Sequence, residues 1–277
     1  MKIKFFGTAA YEGIPAVFCK CERCKKAREL GGKDIRTRSQ SMIDDKILID
    51  FNEDTLTHQY KFGLDMRYVN TLLITHKHED HLYALDLGNL RGGFSHRPQD
   101  NPEPFTIYSS KKSLAPIEKL LERINIPLIN MQVAKEFEPF DAEGYKITAF
   151  PANHDYDNCA SLFYSVEKDG KSILYALDTG YFYDSVWEYF EKNKCYFDLV
   201  VLDCTCMEED NAINWHMGLY ANNMVKEKML SIGVADEKTQ FVINHFSHNH
   251  VPDHKTLCEI AEKNGFIATY DGMEIEF

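Results

Sequence analysis

The most constraining feature of this sequence is a run of metal-ligand side chains that directly follows an apolar segment. His76, His78, Asp80 and His81 lie within six positions, immediately after Leu72-Leu73-Ile74. Imidazole and carboxylate groups together suit divalent first-row ions such as zinc, manganese and iron. On an extended segment His76 and His78 point the same way, because side chains repeat every two residues. The run therefore predicts a metal site rather than a solvated polar loop.

The residues after this run favour two neighbouring ions. Asp80 and His81 open an apolar-periodic segment that reaches Leu90, and we expect this segment to be helical. Two ligands on the loop and two at the start of a helix can serve two different ions.

Composition limits the class of protein that this chain can form. The 277 residues are 44% hydrophobic and 13% aromatic, so they can bury a large core. The longest apolar runs are far below the roughly 18 residues of a membrane span, and Met1 to Phe6 alternates as a strand without a secretory signal layout. We expect a cytoplasmic protein with no membrane partner. In that compartment its eight cysteines are thiols or metal ligands rather than disulfides.

The net charge of −12 argues against a nucleic-acid partner. Affinity for nucleic acids depends mainly on lysine and arginine neutralising phosphates. The densest basic patch near the N-terminus, residues 36–41, is either a solvated face or a phosphate contact through a side chain such as Arg38. The balance favours a small substrate over a long nucleic acid.

Three cysteines near the N-terminus predict a second metal site of a different kind. Cys19, Cys21 and Cys24 lie close together in a stretch without a clear apolar period. Thiolates suit zinc, and a closed structural zinc site is tetrahedral. A fourth ligand must therefore come from elsewhere in the chain.

Further histidines and aspartates follow predicted strands along the rest of the sequence. They are Asp50, His154, Asp178, Asp203 and His245. His216 precedes a predicted helix, where it is either a helix-terminus residue or a functional one. Strands alternate with helices without an internal repeat or a linker, which predicts a single α/β domain of layered sheets over residues 1–277.

Taken together, the ligand run and the strand-end residues resemble the motif series of the metallo-β-lactamase-fold hydrolases. The resemblance implies an αββα sandwich of two mixed sheets flanked by helices, with a dinuclear metal site at one edge. It also implies one ion held by His76, His78, His154 and Asp178, and a second held by Asp80, His81, Asp178 and His245. Asp178 then bridges the two ions, while Asp50 and Asp203 orient the ligands from behind.

A narrower resemblance is to the branch that contains the cyclic-phosphate phosphodiesterase of the carbon–phosphorus lyase pathway, which acts on phosphoribosyl cyclic phosphate. It rests on Gly7-Thr8, Pro15, the three cysteines, Arg36-x-Arg38-Ser39 and His245-x-x-His248. The branch implies that His248 completes the structural zinc site, with His250 as the competing ligand. The coenzyme-PQQ biosynthesis protein B shares part of this pattern. Ala9 and Gly218 depart from it and leave the substrate open.

The resemblance implies a metal-dependent phosphodiesterase that hydrolyses a small, cyclic phosphate ester. Two zinc or manganese ions would supply a hydroxide that attacks phosphorus. Asp80 and His216 are the expected catalytic residues, with His216 also contacting the substrate phosphate or protonating the leaving alkoxide. The alternatives are a transfer-RNA 3′-end-processing nuclease and a non-catalytic binding or carrier protein of the PQQ-related type. A homodimer stays open.

Overall fold

Two mixed β-sheets form the middle of the molecule in a computed structural model that describes residues 1–154, 160–209 and 212–277. Within these residues each sheet has seven strands. The first sheet has the spatial order β14 (Met273–Glu276), β1 (Lys2–Gly7), β2 (Gln40–Ile43), β3 (Ile47–Ile49), β4 (Thr71–Leu73), β5 (Phe105–Ser109) and β6 (Ile129–Val133). The second has the order β13 (Ile267–Ala268), β12 (Gln240–Asn244), β11 (Leu199–Asp203), β10 (Lys171–Ala176), β9 (Leu162–Lys168), β8 (Tyr145–Pro151) and β7 (Phe140–Ala142).

Both sheets are half antiparallel and half parallel. In the first sheet the pairs from β14 to β3 are antiparallel, and those from β3 to β6 are parallel. In the second sheet the pairs from β13 to β10 are parallel, and those from β10 to β7 are antiparallel. The prediction of two mixed sheets is therefore confirmed.

Alternating side chains on the strands bury both faces of each sheet. In β3, Ile47 and Ile49 point into the core between the sheets, whereas Leu48 belongs to the outer core. In β10, Ile173 and Leu174 likewise point to opposite sides. Because successive strand side chains face opposite ways, an unbroken apolar strand needs a packing layer on each side.

Helices supply these outer layers. They are α1 (Glu22–Leu30), α2 (Thr55–Phe62), α3 (Arg97–Asp100), α4 (Lys111–Arg123), α5 (Asp184–Lys192), α6 (Leu219–Ser231) and α7 (His254–Lys263). The apolar stripe of α4 packs on the first sheet, and buried residues of α1, α5, α6 and α7 pack on the second. The result is the predicted αββα sandwich. No helix in the part of the chain described here combines the length and apolar character needed to cross a bilayer.

One local prediction is wrong. The segment after the ligand run forms turns and then a 3-10 helix at Ala84–Leu90, rather than an α-helix that begins at Asp80. Tyr83 N donates to Phe51 O and Phe51 N donates to His81 O. Residues 81–83 therefore pair with the segment just after β3 before any helix begins. These bridges hold residues 81–83 extended and delay the start of helical structure.

The topology brings the ends of several strands to one edge of the sandwich. β3 and β4 run parallel in the first sheet, as do β10, β11 and β12 in the second. Carboxyl ends of parallel strands meet at the same edge, which is where open α/β sheets place their ligands. The strand-end aspartates and histidines of the sequence all follow these strands or β8.

Candidate metal centre

The ligand run forms a tight, buried loop after β4. His76 and His81 are fully buried and Asp80 is 4% exposed. His81 N and Leu82 N both donate to His78 O, at 2.9 and 2.8 Å, which folds the loop back on itself. This turn brings Asp80 and His81 to the same edge as His76.

Three imidazoles form the first cluster of possible ligand atoms. His76 Nε2 lies 2.8 Å from His78 Nδ1, and His154 Nε2 lies 3.5 Å from the same atom. His154 Nε2 is also 3.8 Å from Asp178 Oδ1. His154 Nδ1 donates to the carbonyl of Trp215 at 2.8 Å, which leaves Nε2 as the atom that faces the cluster.

The second cluster converges on the other oxygen of Asp178. Asp178 Oδ2 lies 2.9 Å from His81 Nε2 and 3.1 Å from His245 Nε2. Asp80 Oδ2 lies 3.2 Å from His81 Nε2 and 3.8 Å from His245 Nε2. Asp178 thus has one oxygen at each cluster, the arrangement that a bridging carboxylate requires.

The atoms at the centre of the second cluster fit a divalent cation. His81 Nε2, Asp178 Oδ2 and His245 Nε2 are buried and have no hydrogen-bond partner in residues 1–154, 160–209 and 212–277. Leaving such groups unpaired in a protein interior is unfavourable. Nitrogen and carboxylate donors that converge on one point are ligands for zinc or manganese.

The electrostatics of the cluster keep its carboxylates ionised. Burial alone would raise the pKa of Asp178, but the charges of His245 and His81 hold that pKa well below its usual value. The pKa of Asp80 is likewise lowered, against burial, by His81 and His245. An ionised carboxylate is the form that binds a metal ion.

Buried carboxylates and hydroxyls fix the ligands from behind. His81 Nδ1 donates to Asp50 Oδ2 at 2.6 Å, and Thr75 N donates to Asp50 Oδ1 at 2.8 Å. His245 Nδ1 donates to Thr205 Oγ1 at 2.7 Å. These bonds set which ring nitrogen of each histidine faces the centre.

Asp203 joins the ligand region to His216. Its Oδ2 accepts from His216 Nδ1 at 3.0 Å, from Thr205 Oγ1 at 3.1 Å and from the backbone N–H of Asp178 at 3.1 Å. Burial opposes ionisation, but the charges and hydrogen bonds of His216 and His245 lower the pKa of Asp203 to about 2. His216 is thereby held with its other nitrogen toward the ligand edge.

A pocket of about 310 Å³ opens over the two clusters. Besides ligand side chains it is lined by Tyr11, Glu12, Thr205, Trp215, His216 and Ser247. Of these residues, the sequence predicts only His216 as part of the site. Thr205 could have been found from its position two residues after Asp203. Tyr11, Glu12 and Ser247 carry no local signal, since they reach the pocket through contacts between distant segments.

Arg38 does not itself line the pocket, although it contacts the lining residue Tyr11. Its Nη1 is 3.2 Å from Asp54 Oδ2 and 3.7 Å from Glu53 Oε2, and its Nε donates to Tyr11 O at 2.8 Å. Its charge is therefore matched by carboxylates outside the pocket. The structure does not bring this predicted substrate contact together with the other site residues.

The cysteine cluster is assembled from both ends of the chain. The sulfur atoms of Cys19, Cys21 and Cys24 and one ring nitrogen of His248 all lie within 4.8 Å of one another. Burial raises the pKa of the Cys21 thiol, but hydrogen bonds from the backbone N–H of Cys24 and the ring of His248 outweigh it and lower that pKa to about 6. His250 is directed to Glu209, with 3.6 Å between His250 Nε2 and Glu209 Oε2. His248 is thus the histidine next to the thiols.

Comparison with protein-family models assigns most of the chain to a known family. The model described as "Beta-lactamase superfamily domain" matches residues 46–258, more than half of the chain. The chain belongs to this superfamily. Members bind divalent metal ions, and the two histidine–aspartate clusters are of the corresponding kind. A search of curated proteins gave no match.

Solved structures share the fold at low sequence identity. A structure described as a new diphosphatase from the PhnP family has a TM-score of 0.75 and 20% identity, covering 100% of this chain and 97% of its own. Zn²⁺-bound PqqB from Methylobacterium extorquens has a TM-score of 0.73 and 16% identity, with both chains covered to 100%. Human tRNase Z, short form, has a TM-score of 0.63 and 17% identity, with 100% and 99% covered. At these sequence identities the comparison shows a shared fold and nothing more.

The double contact of Asp178 generates a prediction about metal content. We expect Asp178→Ala to weaken binding at both clusters, because each loses an oxygen ligand. The affinity for both ions should fall by more than the roughly 10–100-fold that loss of an outer hydrogen-bond partner costs. Metal analysis after dialysis is the measurement. Asp184→Ala, at an exposed position in the first turn of α5, is the control. Normal retention of both ions by the Asp178 variant would exclude the bridging role.

Proposed function

We propose that the protein is a metal-dependent phosphodiesterase that hydrolyses a small, cyclic phosphate ester. The observation that carries this proposal is the pairing of two ligand clusters through Asp178, beneath a pocket that also holds His216. Two divalent ions, when bound, lower the pKa of a water molecule and balance charge that develops on phosphoryl oxygens. The remaining chemistry falls to side chains of the pocket.

The geometry of the two clusters supports the ligand sets that the family resemblance implies. His76, His78 and His154 with one oxygen of Asp178 would hold one ion. Asp80, His81 and His245 with the other oxygen would hold the second. Asp50 and Asp203 would keep the histidines in the orientation that binding needs.

His216 is the proposed group for proton transfer and phosphate contact. Its side chain is 26% exposed in the pocket, its Nδ1 is engaged by Asp203, and its ring stacks on that of His245 at 5.7 Å. The imidazole can donate from Nε2 to a phosphoryl oxygen or to the departing alkoxide. Asp203 acts through His216 as a positioning residue.

The size and lining of the pocket support a small ester. A volume of about 310 Å³ lies at the lower end of the range for small-molecule sites. Among the described residues, the lining contains no lysine or arginine that would follow the phosphates of a long nucleic acid. A complete set of ligand side chains, together with His216, supports catalysis over a binding or carrier role.

The proposal predicts metal-dependent turnover of simple diesters. Protein loaded with manganese or zinc should hydrolyse bis(p-nitrophenyl) phosphate, and chelation should remove the activity reversibly. Release of p-nitrophenolate measures the rate, and metal analysis of the same samples links rate to occupancy. Fully metallated protein that turns over no cyclic or linear diester would favour the binding or carrier alternative. Cleavage restricted to precursor transfer RNA would favour the nuclease alternative.

A second prediction concerns His216. His216→Ala should retain metal but lower kcat for esters with poor leaving groups by roughly 10²–10⁴, the usual contribution of general acid catalysis. The loss should shrink for p-nitrophenyl esters, because p-nitrophenolate departs without protonation. His250→Ala removes a histidine outside the pocket and is the control. An equal loss with every leaving group would assign His216 to phosphate positioning, and loss of metal would refute both roles.

We also propose a structural zinc held by Cys19, Cys21, Cys24 and His248. Three thiolates and one imidazole complete a closed tetrahedral set, which is typical of sites that stabilise a fold. This zinc would tie the N-terminal segment to the chain after β12. Thiolate ligands favour zinc more strongly than the histidine and carboxylate clusters do.

The zinc proposal predicts a stability effect that is separable from catalysis. Cys21→Ser should lower the melting temperature by roughly 5–10 °C, since loss of a zinc ligand removes a few kcal/mol of folding free energy. Cys195→Ser alters a cysteine outside the cluster and serves as the control. After mild chelation, X-ray absorption should report residual zinc with a sulfur-dominated shell and one nitrogen. An oxygen and nitrogen shell, or no retained zinc, would refute the site.

A further inference from the structure

The catalytic pocket has an acidic side chain that the metal ligand sets do not use. Glu12 lines the pocket with its side chain 29% exposed. Its Oε1 accepts a hydrogen bond from Ser247 Oγ at 2.6 Å and lies 3.7 Å from His248 Nε2. A surface glutamate is normally mobile, whereas these contacts from the segment after β12 hold Glu12 at the pocket wall.

No positive side chain balances Glu12 inside the pocket. Within the described part of the chain, the charged groups of the lining are carboxylates and histidines only. The sequence of residues 155–159 and 210–211 likewise contains no lysine or arginine. Arg38 donates to Tyr11 O at the edge of the pocket, but its charge is paired with Asp54 and Glu53.

The charge of Glu12 disfavours a second negative charge on a bound substrate. Of the other pocket carboxylates, Asp80 and Asp178 face the proposed ion sites and Asp203 is paired with His216. The ester phosphate can bind to the ions and to His216. A second negative charge on a substituent near Glu12 meets no lysine or arginine in the described lining, and Glu12 repels it over roughly a Debye length, about 8 Å at physiological salt.

We propose that Glu12 restricts the substrate to phosphodiesters whose substituents carry no further negative charge. The inference rests on the proposed phosphodiesterase function and narrows its substrate class. The described contacts of Glu12 involve Oε1, which leaves Oε2 to accept from a substrate hydroxyl or amine. A cyclic phosphate of a neutral polyol or nucleoside places no negative substituent against Glu12 and is therefore an expected substrate. A sugar with a second phosphate, such as phosphoribosyl cyclic phosphate, is not.

The test compares a singly and a doubly charged substrate in matched variants. Glu12→Gln keeps the shape and an oxygen acceptor for Ser247 but removes the charge. Relative to the unmodified protein, it should raise kcat/KM for p-nitrophenyl 3-carboxyphenyl phosphate, a diester with a charged substituent, about tenfold against that for p-nitrophenyl phenyl phosphate, the matched monoanion. Glu53→Gln removes the same charge from an exposed side chain outside the pocket and should leave the ratio unchanged.

A binding measurement separates substrate selection from chemistry. Calorimetry on the metal-loaded proteins should give a similar gain in affinity for the monomethyl ester of 3-carboxyphenylphosphonate, a dianion, over the monomethyl ester of phenylphosphonate, a monoanion. In the unmodified protein, discrimination against the dianion should weaken as salt screens Glu12. This salt series decides the matter if Glu12→Gln loses metal or stability.

The measurements distinguish a failure of the proposed role of Glu12 from a failure of the proposed phosphodiesterase function. Equal ratios in Glu12→Gln and Glu53→Gln, or discrimination that salt does not change, would overturn the role of Glu12 while leaving diesterase activity intact. Absence of diester turnover in the unmodified protein would instead contradict the proposed function, and the calorimetric comparison would still report on Glu12.

Discussion

The dense burial of charge around Asp178 is the constraint on which the rest of the structure depends. Asp178, Asp80 and His81 are buried within a few ångströms of one another, and unpaired ligand atoms converge between them. Removing charged groups from water is unfavourable unless opposite charges and hydrogen bonds compensate. The buried partners Asp50 and Asp203 compensate the outward-facing nitrogens only. At the inner face, the charges of His81 and His245 or bound cations can compensate the carboxylates, so the stability of this edge and metal binding are linked.

Backbone geometry at the strand ends brings these groups together from two sheets. Asp50, Asp178 and His245 have φ angles of 65°, 47° and 65°, in the left-handed region that non-glycine residues seldom adopt. Each such residue costs on the order of 1–3 kcal/mol. An extended continuation would carry each side chain past the edge of its sheet. The left-handed turn directs it toward the gap between the sheets instead. Burial of the apolar core between β3 and β10 offsets the free-energy cost of these backbone conformations.

Much of the fold and the centre was predictable because its signals are local. The spacing of His76, His78, Asp80 and His81 and the two-residue period of the strands are properties of short segments. The 3-10 helix at Ala84–Leu90 was not predictable, because an apolar period is shared by both helix types and the choice depends on bridges to Phe51. Glu12 was missed for a similar reason. Its role arises from a contact with Ser247, which lies 235 residues away.

The chain after β12 couples the two regions that contain potential metal ligands. His245 points into the histidine–aspartate cluster, Ser247 donates to Glu12 at the pocket wall, and His248 lies beside the cysteines. Phe246 N donates to Thr8 O and its carbonyl accepts from Ala10 N, so the N-terminal segment pairs with this stretch along its length. A zinc among the cysteines would fix the far end of the same segment. Its loss would therefore free Glu12 and one wall of the pocket, while His81 and His245 would keep their hydrogen bonds to Asp50, after β3, and Thr205, after β11.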